Sequence, residues 1–185
     1  MAPKKNFPEK RMILDLCGGT GAWSEPYREA GYDVKLIDIP NDVRLLEFDE
    51  GIKPHGILAA PPCTVFSYAR QRYGMPTKEE LLQAMSVVDA CLRIIFIYKP
   101  KWWALENPRN KLRRYLNPPK MIFKQWWFGD GKEKATCLWG DFIIPIYVPG
   151  KRIKASTYKT KEQNSYKKDA ITPPGFARAF FEANP

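Results

Sequence analysis

Met12-Ile13-Leu14-Asp15-Leu16-Cys17-Gly18-Gly19-Thr20-Gly21 carries a short apolar run straight into a glycine cluster, and residues 22–30 behind it have helical composition as far as Gly31. That order predicts a strand, a tight loop and a helix, the opening unit of an α/β sheet. Working outward, residues 34–39 read as a second strand that ends at Asp38 and turns at Pro40-Asn41-Asp42, and residues 56–60 supply a third. Thr77 followed by Glu80 is a capping-box signature, and Leu81, Met85, Val88, Leu92 and Ile95 recur at helical steps, so residues 77–98 are expected to form a long amphipathic helix. Residues 101–105 form the next strand, and residues 136–139 and 142–148 later ones toward the far edge, where Pro145 suits an edge or a bulge. The closing stretch, residues 172–181, reads as a turn and a short helix with Phe176, Ala179 and Phe180 on one face. This alternation predicts an α/β sandwich with a mostly parallel sheet flanked by helices.

Bulk composition narrows the class. The 185 residues suit one domain with a sizeable core, at 44% hydrophobic content. No stretch holds the roughly 18 uninterrupted apolar residues of a membrane span, and Met1-Ala2-Pro3-Lys4-Lys5 lacks the apolar core of a secretion signal, so a cytoplasmic protein without a membrane partner is expected. Cys17, Cys63, Cys91 and Cys137 are widely spaced and expected to be reduced, with Cys91 and Cys137 as buried structural residues. His55 is the only histidine, which excludes multi-histidine metal sites, and no metal is expected. The net charge of +10 and the 14% aromatic content favour a polyanionic partner, with Lys and Arg concentrated in residues 109–134 and 151–168.

A strand ending in Gly18-Gly19-Thr20-Gly21 lets backbone amides approach a ligand closely, and Asp38, about 20 positions on, is placed to hydrogen-bond ribose hydroxyls. A dinucleotide enzyme and a plain tight turn also fit this loop. Two further segments end apolar runs with reactive residues: Ile57-Leu58-Ala59-Ala60 leads into Pro61-Pro62-Cys63, and Trp102-Trp103-Ala104-Leu105 leads into Glu106-Asn107-Pro108. Paired prolines fix torsions and remove amide donors, which suits a rigidly projected thiol at Cys63 better than a residue inside a packed element. An unpaired carboxylate directly after an apolar strand is costly, so Glu106 is expected to be partly buried with a raised pKa.

In this order the glycine loop, the Pro-Pro-Cys loop and the Glu-Asn loop resemble the DNA (cytosine-5) methyltransferase family, over roughly residues 12–139 plus the C-terminal helix. The resemblance implies a Rossmann-like class I S-adenosylmethionine-dependent methyltransferase fold of a compact phage or bacterial type. It divides a single catalytic domain, residues 1–185, into a core at 11–140, a reduced recognition and basic loop region at 141–170 and a C-terminal helix at 171–185. It also implies that Asp15, Cys17, Gly18, Gly19 and Gly21, with Pro61, cradle S-adenosylmethionine, that Asp38 holds its ribose, that Ile39 packs on adenine, and that Asp42 and Val43 meet the adenine edge. Two departures are visible: Cys17 stands where the family carries phenylalanine, and Pro108 where it carries valine.

The implied chemistry assigns the remaining roles. Carbon 5 of cytosine becomes nucleophilic when a thiolate, here Cys63, adds to carbon 6, and a carboxylic acid beside ring nitrogen 3, here Glu106, meets the developing charge. The family's arginine for the carbon 2 oxygen is replaced by Lys134, which reads equally well as an exposed turn lysine. DNA is the expected partner of a monomeric enzyme, its cytosine flipped or unpaired, with Arg109, Lys111, Arg113, Arg114, Lys120 and Lys124 on phosphates. Trp126 and Trp127 are candidates for base stacking or for the core. Only about 30 residues, 140–170, remain for target recognition, too few for a separate core. RNA, a free cytosine nucleotide, a related alkyl donor, or a catalytically decayed nucleic-acid-binding protein stay open as alternatives.

Overall fold

The computed structural model describes residues 10–68, 74–129, 133–147 and 171–185. Six strands, β1 (Met12–Leu16), β2 (Asp33–Ile37), β3 (Pro54–Ala59), β4 (Trp102–Pro108), β5 (Met121–Lys124) and β6 (Ala135–Asp141), form one sheet in the order β2-β1-β3-β4-β6-β5. The first four are parallel to one another; β6 runs antiparallel to both β4 and β5. β1 and β3 are buried over almost their whole length, which explains their near-continuous apolar sequence, while edge strand β2 is half exposed.

Helices α1 (Glu25–Glu29), α2 (Lys78–Tyr98) and α3 (Pro174–Ala183) cover the two faces. Alternate strand residues divide accordingly. Leu14, Leu16, Ile57 and Leu105 pack against Val88, Cys91, Ile94 and Ile95 of α2. Ile13, Leu58, Ala104 and Leu138 pack on the other side against Trp23, Tyr27, Phe176 and Phe180. Burying each such large side chain stabilises the fold by about 1.5–3 kcal/mol. Thr77 caps α2 through the reciprocal box foreseen from sequence: Glu80 N donates to Thr77 Oγ1 at 3.1 Å, and Thr77 N to Glu80 Oε2 at 2.9 Å. By length and composition alone α2 is apolar enough to cross a membrane, but its apolar stripe is the one packed on the sheet.

Several boundaries differ from the expectation. Residues 22–24 form a turn rather than the start of α1, because the Ser24 side chain is turned inward to Asp15. Strand β4 continues past Leu105 to Pro108, so Glu106 and Asn107 lie inside a strand and not in a loop; pairing with β6 places Glu106 opposite Leu138 and Asn107 opposite Cys137. Residues 142–147 are not a strand: Ile143 N donates to Asn184 Oδ1 at 2.7 Å and Ile143 O accepts from Asn184 Nδ2 at 2.9 Å, so this backbone is satisfied by a C-terminal side chain. Val148, the end of that expected strand, and the basic stretch 151–168 lie outside the described residues. The basic region 109–134 contains a strand that the sequence reading missed, β5, followed by a 3-10 turn at Gln125–Phe128.

Candidate active site

The site grows from the end of β1. Cys17 follows it with φ 55° and donates its backbone N–H to Ile37 O at 2.7 Å, tying the loop to the end of β2. Gly18 then passes directly over Asp15. A β-carbon at Gly18 would lie 2.3 Å from Asp15 Oδ1, so no side chain fits there. Asp15 is fully buried and accepts a hydrogen bond from Ser24 Oγ at 2.5 Å, while its Oδ1 has no partner among the described residues. Burial pushes its pKa up to about 6, against the pull of the Ser24 hydrogen bond.

Asp38, just beyond β2, accepts from Gly19 N on Oδ2 and from Ile39 N on Oδ1, so both carboxylate oxygens are fixed at the mouth of the loop. Each keeps a lone pair for a hydroxyl. Ile39 presents 92% of its surface beside it. Asp42 caps the following 3-10 turn (Val43–Leu45) by accepting from Arg44 N at 2.9 Å, and its carboxylate also pairs with the Arg44 guanidinium, which holds its pKa down. Cys17 fills the position of the family phenylalanine with half of a thiol pair. It packs against the core cluster that holds Cys91 of α2, and the neighbouring Cys91 thiol pulls its pKa down.

The chemical groups arrive from three other segments. After β3 the chain is pinned by Ala60 N to Leu16 O at 2.9 Å, and buried Phe66 anchors the far end of the Pro61-Pro62-Cys63 turn. Asn107, fully buried in β4, donates from Nδ2 to Pro61 O at 3.0 Å and so fastens the Glu-Asn strand to the nucleophile loop. Cys63 and Glu106 both line the cleft that contains Gly18, Gly19 and Asp38, a space of about 780 Å3. Lys134, just before β6, lines it too. Burial raises the Cys63 thiol, with a further push from Glu106 and an opposing pull from Lys134. Burial likewise raises the Glu106 carboxyl, again opposed by Lys134.

The structure therefore places Cys63, Glu106, Lys134, Cys17, Gly18, Gly19, Asp38, Ile39, Asp42, Val43 and Pro61 around one cleft. Asp15 and Gly21 do not line it; they hold the loop from beneath, Asp15 against Gly18 and Gly21 through the 2.9 Å bond of its N–H to Gly18 O. Sequence reasoning missed Arg44, Val87, Ile171 and Thr172, which also line the cleft. Ile171 and Thr172 carried no signal beyond a turn before α3.

The basic residues divide. Arg109, Arg113 and Arg114 are exposed just past the end of β4. Lys111 is 7% exposed with Nζ 3.6 Å from Met75 Sδ, so in this structure it is turned inward and does not present a phosphate contact. Lys120 faces Asp141 at 3.6 Å and the Phe142 ring at 5.0 Å, and Lys124 faces Glu133 at 3.4 Å. Trp126 and Trp127 are half-buried and meet Tyr147 edge-on. Among the described residues no cluster of His, Cys, Asp and Glu could hold a metal ion.

A four-strand parallel segment ending in antiparallel strands, with a glycine loop after its first strand, defines a Rossmann-like methyltransferase fold of the S-adenosylmethionine-dependent class. Among solved structures, a methyltransferase from Entamoeba histolytica superimposes with a TM-score of 0.51 at 15% identity, over 85% of this chain and 62% of that one. This chain thus spans less than two thirds of that protein's length. The sequence model of the C-5 cytosine-specific DNA methylase family matches residues 23–123, a span that includes Cys63 and Glu106, and the chain belongs to that family. No curated protein sequence matches the chain.

Proposed function

We propose that this chain is an S-adenosylmethionine-dependent methyltransferase that adds a methyl group to carbon 5 of cytosine in DNA through a cysteine adduct. The observation that carries the reading is the convergence of Cys63, Glu106 and Lys134 on the same cleft as the glycine loop. That cleft fits the cofactor: the backbone at Gly18 lies where a β-carbon cannot, Asp38 offers two fixed carboxylate oxygens, and Ile39 gives an exposed apolar face for adenine. Gly18, Gly19, Asp38, Ile39, Asp42, Val43, Cys17 and Pro61 would hold it, over a loop braced by Asp15 and Gly21. When bound, S-adenosylmethionine supplies an electrophilic methyl group.

The protein's own groups prepare the ring. Cys63 adds as thiolate to carbon 6, forming a carbon–sulfur bond, while Glu106 gives its proton to ring nitrogen 3 and carbon 5 becomes enamine-like. After carbon 5 has gained its methyl group it loses its proton to water, Glu106 recovers the proton from nitrogen 3, and the Cys63 thiolate leaves. Lys134, on the same cleft, favours the thiolate and would meet the carbon 2 oxygen. Burial of Glu106 keeps its proton available at higher pH than for an ordinary glutamate. Exposed Arg109, Arg113 and Arg114 beside the Glu106 strand support a nucleic-acid substrate.

The test supplies methyl-labelled cofactor with cytosine-containing duplex DNA, single-stranded DNA, RNA or cytosine nucleotide, and analyses the nucleosides by mass spectrometry. Wild type is expected to give 5-methylcytosine in DNA, and Cys63→Ala none. Equal label from both proteins removes Cys63 from the chemistry, and label confined to RNA or nucleotide reassigns the substrate.

A further inference from the structure

Adjoining the cleft at Glu106 lies a second, much smaller cavity, lined by Glu106, Lys134, Gln125, Thr136 and Thr172 and by the rings of Phe123 and Phe176. The centre of a water molecule has about 10 Å3 to occupy there, which is room for one. Gln125 is only 4% exposed, and its Oε1 has no hydrogen-bond partner among the described residues although it is sealed from solvent. Such a buried orphan costs about 1–3 kcal/mol unless something satisfies it. The position of the residue is determined by backbone: it begins the 3-10 turn directly after β5, and its N–H meets Lys134 O at 3.4 Å, which holds the side chain beside the start of β6.

From the small cavity, its size and the buried carbonyl that borders it, we infer that Gln125 is a positioning residue for Glu106, acting through a single water held between Gln125 Oε1 and the Glu106 carboxyl. The water gives one hydrogen to Oε1 and turns its other polar side to the carboxyl. It fixes the carboxyl plane from behind while the opposite edge stays open to the cleft. In either protonation state Glu106 then has a partner: the water donates to the carboxylate, or accepts from the carboxylic acid. The ionisable groups facing Glu106 are Lys134 at the head of β6, which borders the small cavity as well as the cleft, and Cys63 across the cleft, with Cys137 of β6 also within its field. Neither the water nor Gln125 carries charge, so their effect adds to those fields without replacing them.

The inference rests on the proposed role of Glu106, but its test needs neither cofactor nor DNA. The Glu106 side-chain carbonyl carbon is followed by carbon-13 NMR against pH in the whole chain, assigned with Glu106→Gln. A carboxylate gains more from a water than a carboxylic acid does, so Gln125→Leu, which removes the amide and fills the cavity, is expected to raise the Glu106 midpoint by about half a pH unit or more. Gln125→Asn keeps an amide and leaves room for water, and should hold the midpoint within about 0.2 of a pH unit of wild type. In wild type, a long-lived water should also give a cross-relaxation signal to the Gln125 side-chain amide. An unchanged or lower midpoint in Gln125→Leu, an Asn variant displaced as far as the Leu variant, or no water signal in wild type overturns the inference. If Gln125→Leu does not fold, the water signal and the Asn variant decide it. A negative result here leaves methyl transfer standing, and absence of methyl transfer leaves the titration standing.

Discussion

The two ends of the cleft are built in opposite ways. At the proposed cofactor end, all but Pro61 comes from the tips of two adjacent parallel strands: residues 15–21 at the end of β1 and residues 37–44 at the end of β2, held by backbone bonds such as Cys17 N to Ile37 O and by Asp38 across the loop. At the chemical end, Cys63, Glu106, Lys134 and Thr172 come from four distant stretches, and a side-chain bond from Asn107 to Pro61 links the first two. The proposed cofactor end is thus a local backbone structure that tolerates no added volume at Gly18. The chemical end is a side-chain assembly whose geometry depends on tertiary packing, so damage to either should leave the other largely working.

Glu106→Gln should give the largest separation of the two. If Glu106 is the proposed proton donor at ring nitrogen 3, its loss slows transfer by about 10²–10⁴-fold in single-turnover assays. Cofactor-product affinity by calorimetry should stay within about twofold, since removing a transition-state interaction leaves ground-state binding intact. A large loss of that affinity would mean that the two ends are not separable.

Gly18→Ala should do the reverse. The new β-carbon meets a buried carboxyl that Ser24 holds in place, so overpacking of about 1–3 kcal/mol is expected to weaken S-adenosylhomocysteine binding by about tenfold to a hundredfold. Alkylation of Cys63 by iodoacetamide should remain near the wild-type rate. Unchanged affinity would show that the loop yields and that its backbone is not the rigid cradle described.

Asn107→Ala cuts the link within the chemical end. With Pro61 O left unpaired, transfer should fall by about tenfold, alongside a stability loss of about 1–3 kcal/mol measured by urea unfolding. Equal falls in transfer and cofactor affinity would place Asn107 in both ends. The smallest effect is expected from Lys134→Met. Lys134 opposes the upward push on Cys63, so its removal leaves the thiol pKa higher still, and the midpoint of the pH profile for Cys63 alkylation moves to higher pH. At pH 7.5 the alkylation rate should drop about threefold to tenfold, because reactivity follows the thiolate fraction. A midpoint that moves down would reverse the electrostatic assignment.

The same contrast explains what was legible in the sequence. Gly18, Gly19 and Asp38 could be read from spacing because the cofactor end is made of contiguous residues whose backbone shape follows from glycine and strand ends. Cys63 and Glu106 could be read because each closes an apolar run. Asn107 was readable only as part of a resemblance, since its role depends on the pleat of β4 and the path of a loop far away in sequence. Gln125 and Thr172 gave no signal at all: one sits after a strand hidden in a charged stretch, the other in a plain turn before α3. The absence of the expected strand over residues 142–147 has a similar cause, since Asn184 lies 41 residues beyond its backbone partner Ile143.

Strand β4 carries its two decisive residues side by side, yet neighbours on a pleated strand look in opposite directions. Ala104 and Trp102 share the parity of Glu106, toward α1 and α3, while Leu105 and Trp103 share that of Asn107, toward α2. Removing or inserting one residue upstream within β4, with the pairing to β3 kept and the pairing to β6 slipped by one residue, would exchange these two orientations, sending the carboxyl toward the proline loop and the amide away from it. Without a bulge to absorb the odd residue, a length change that keeps both orientations must therefore come in steps of two.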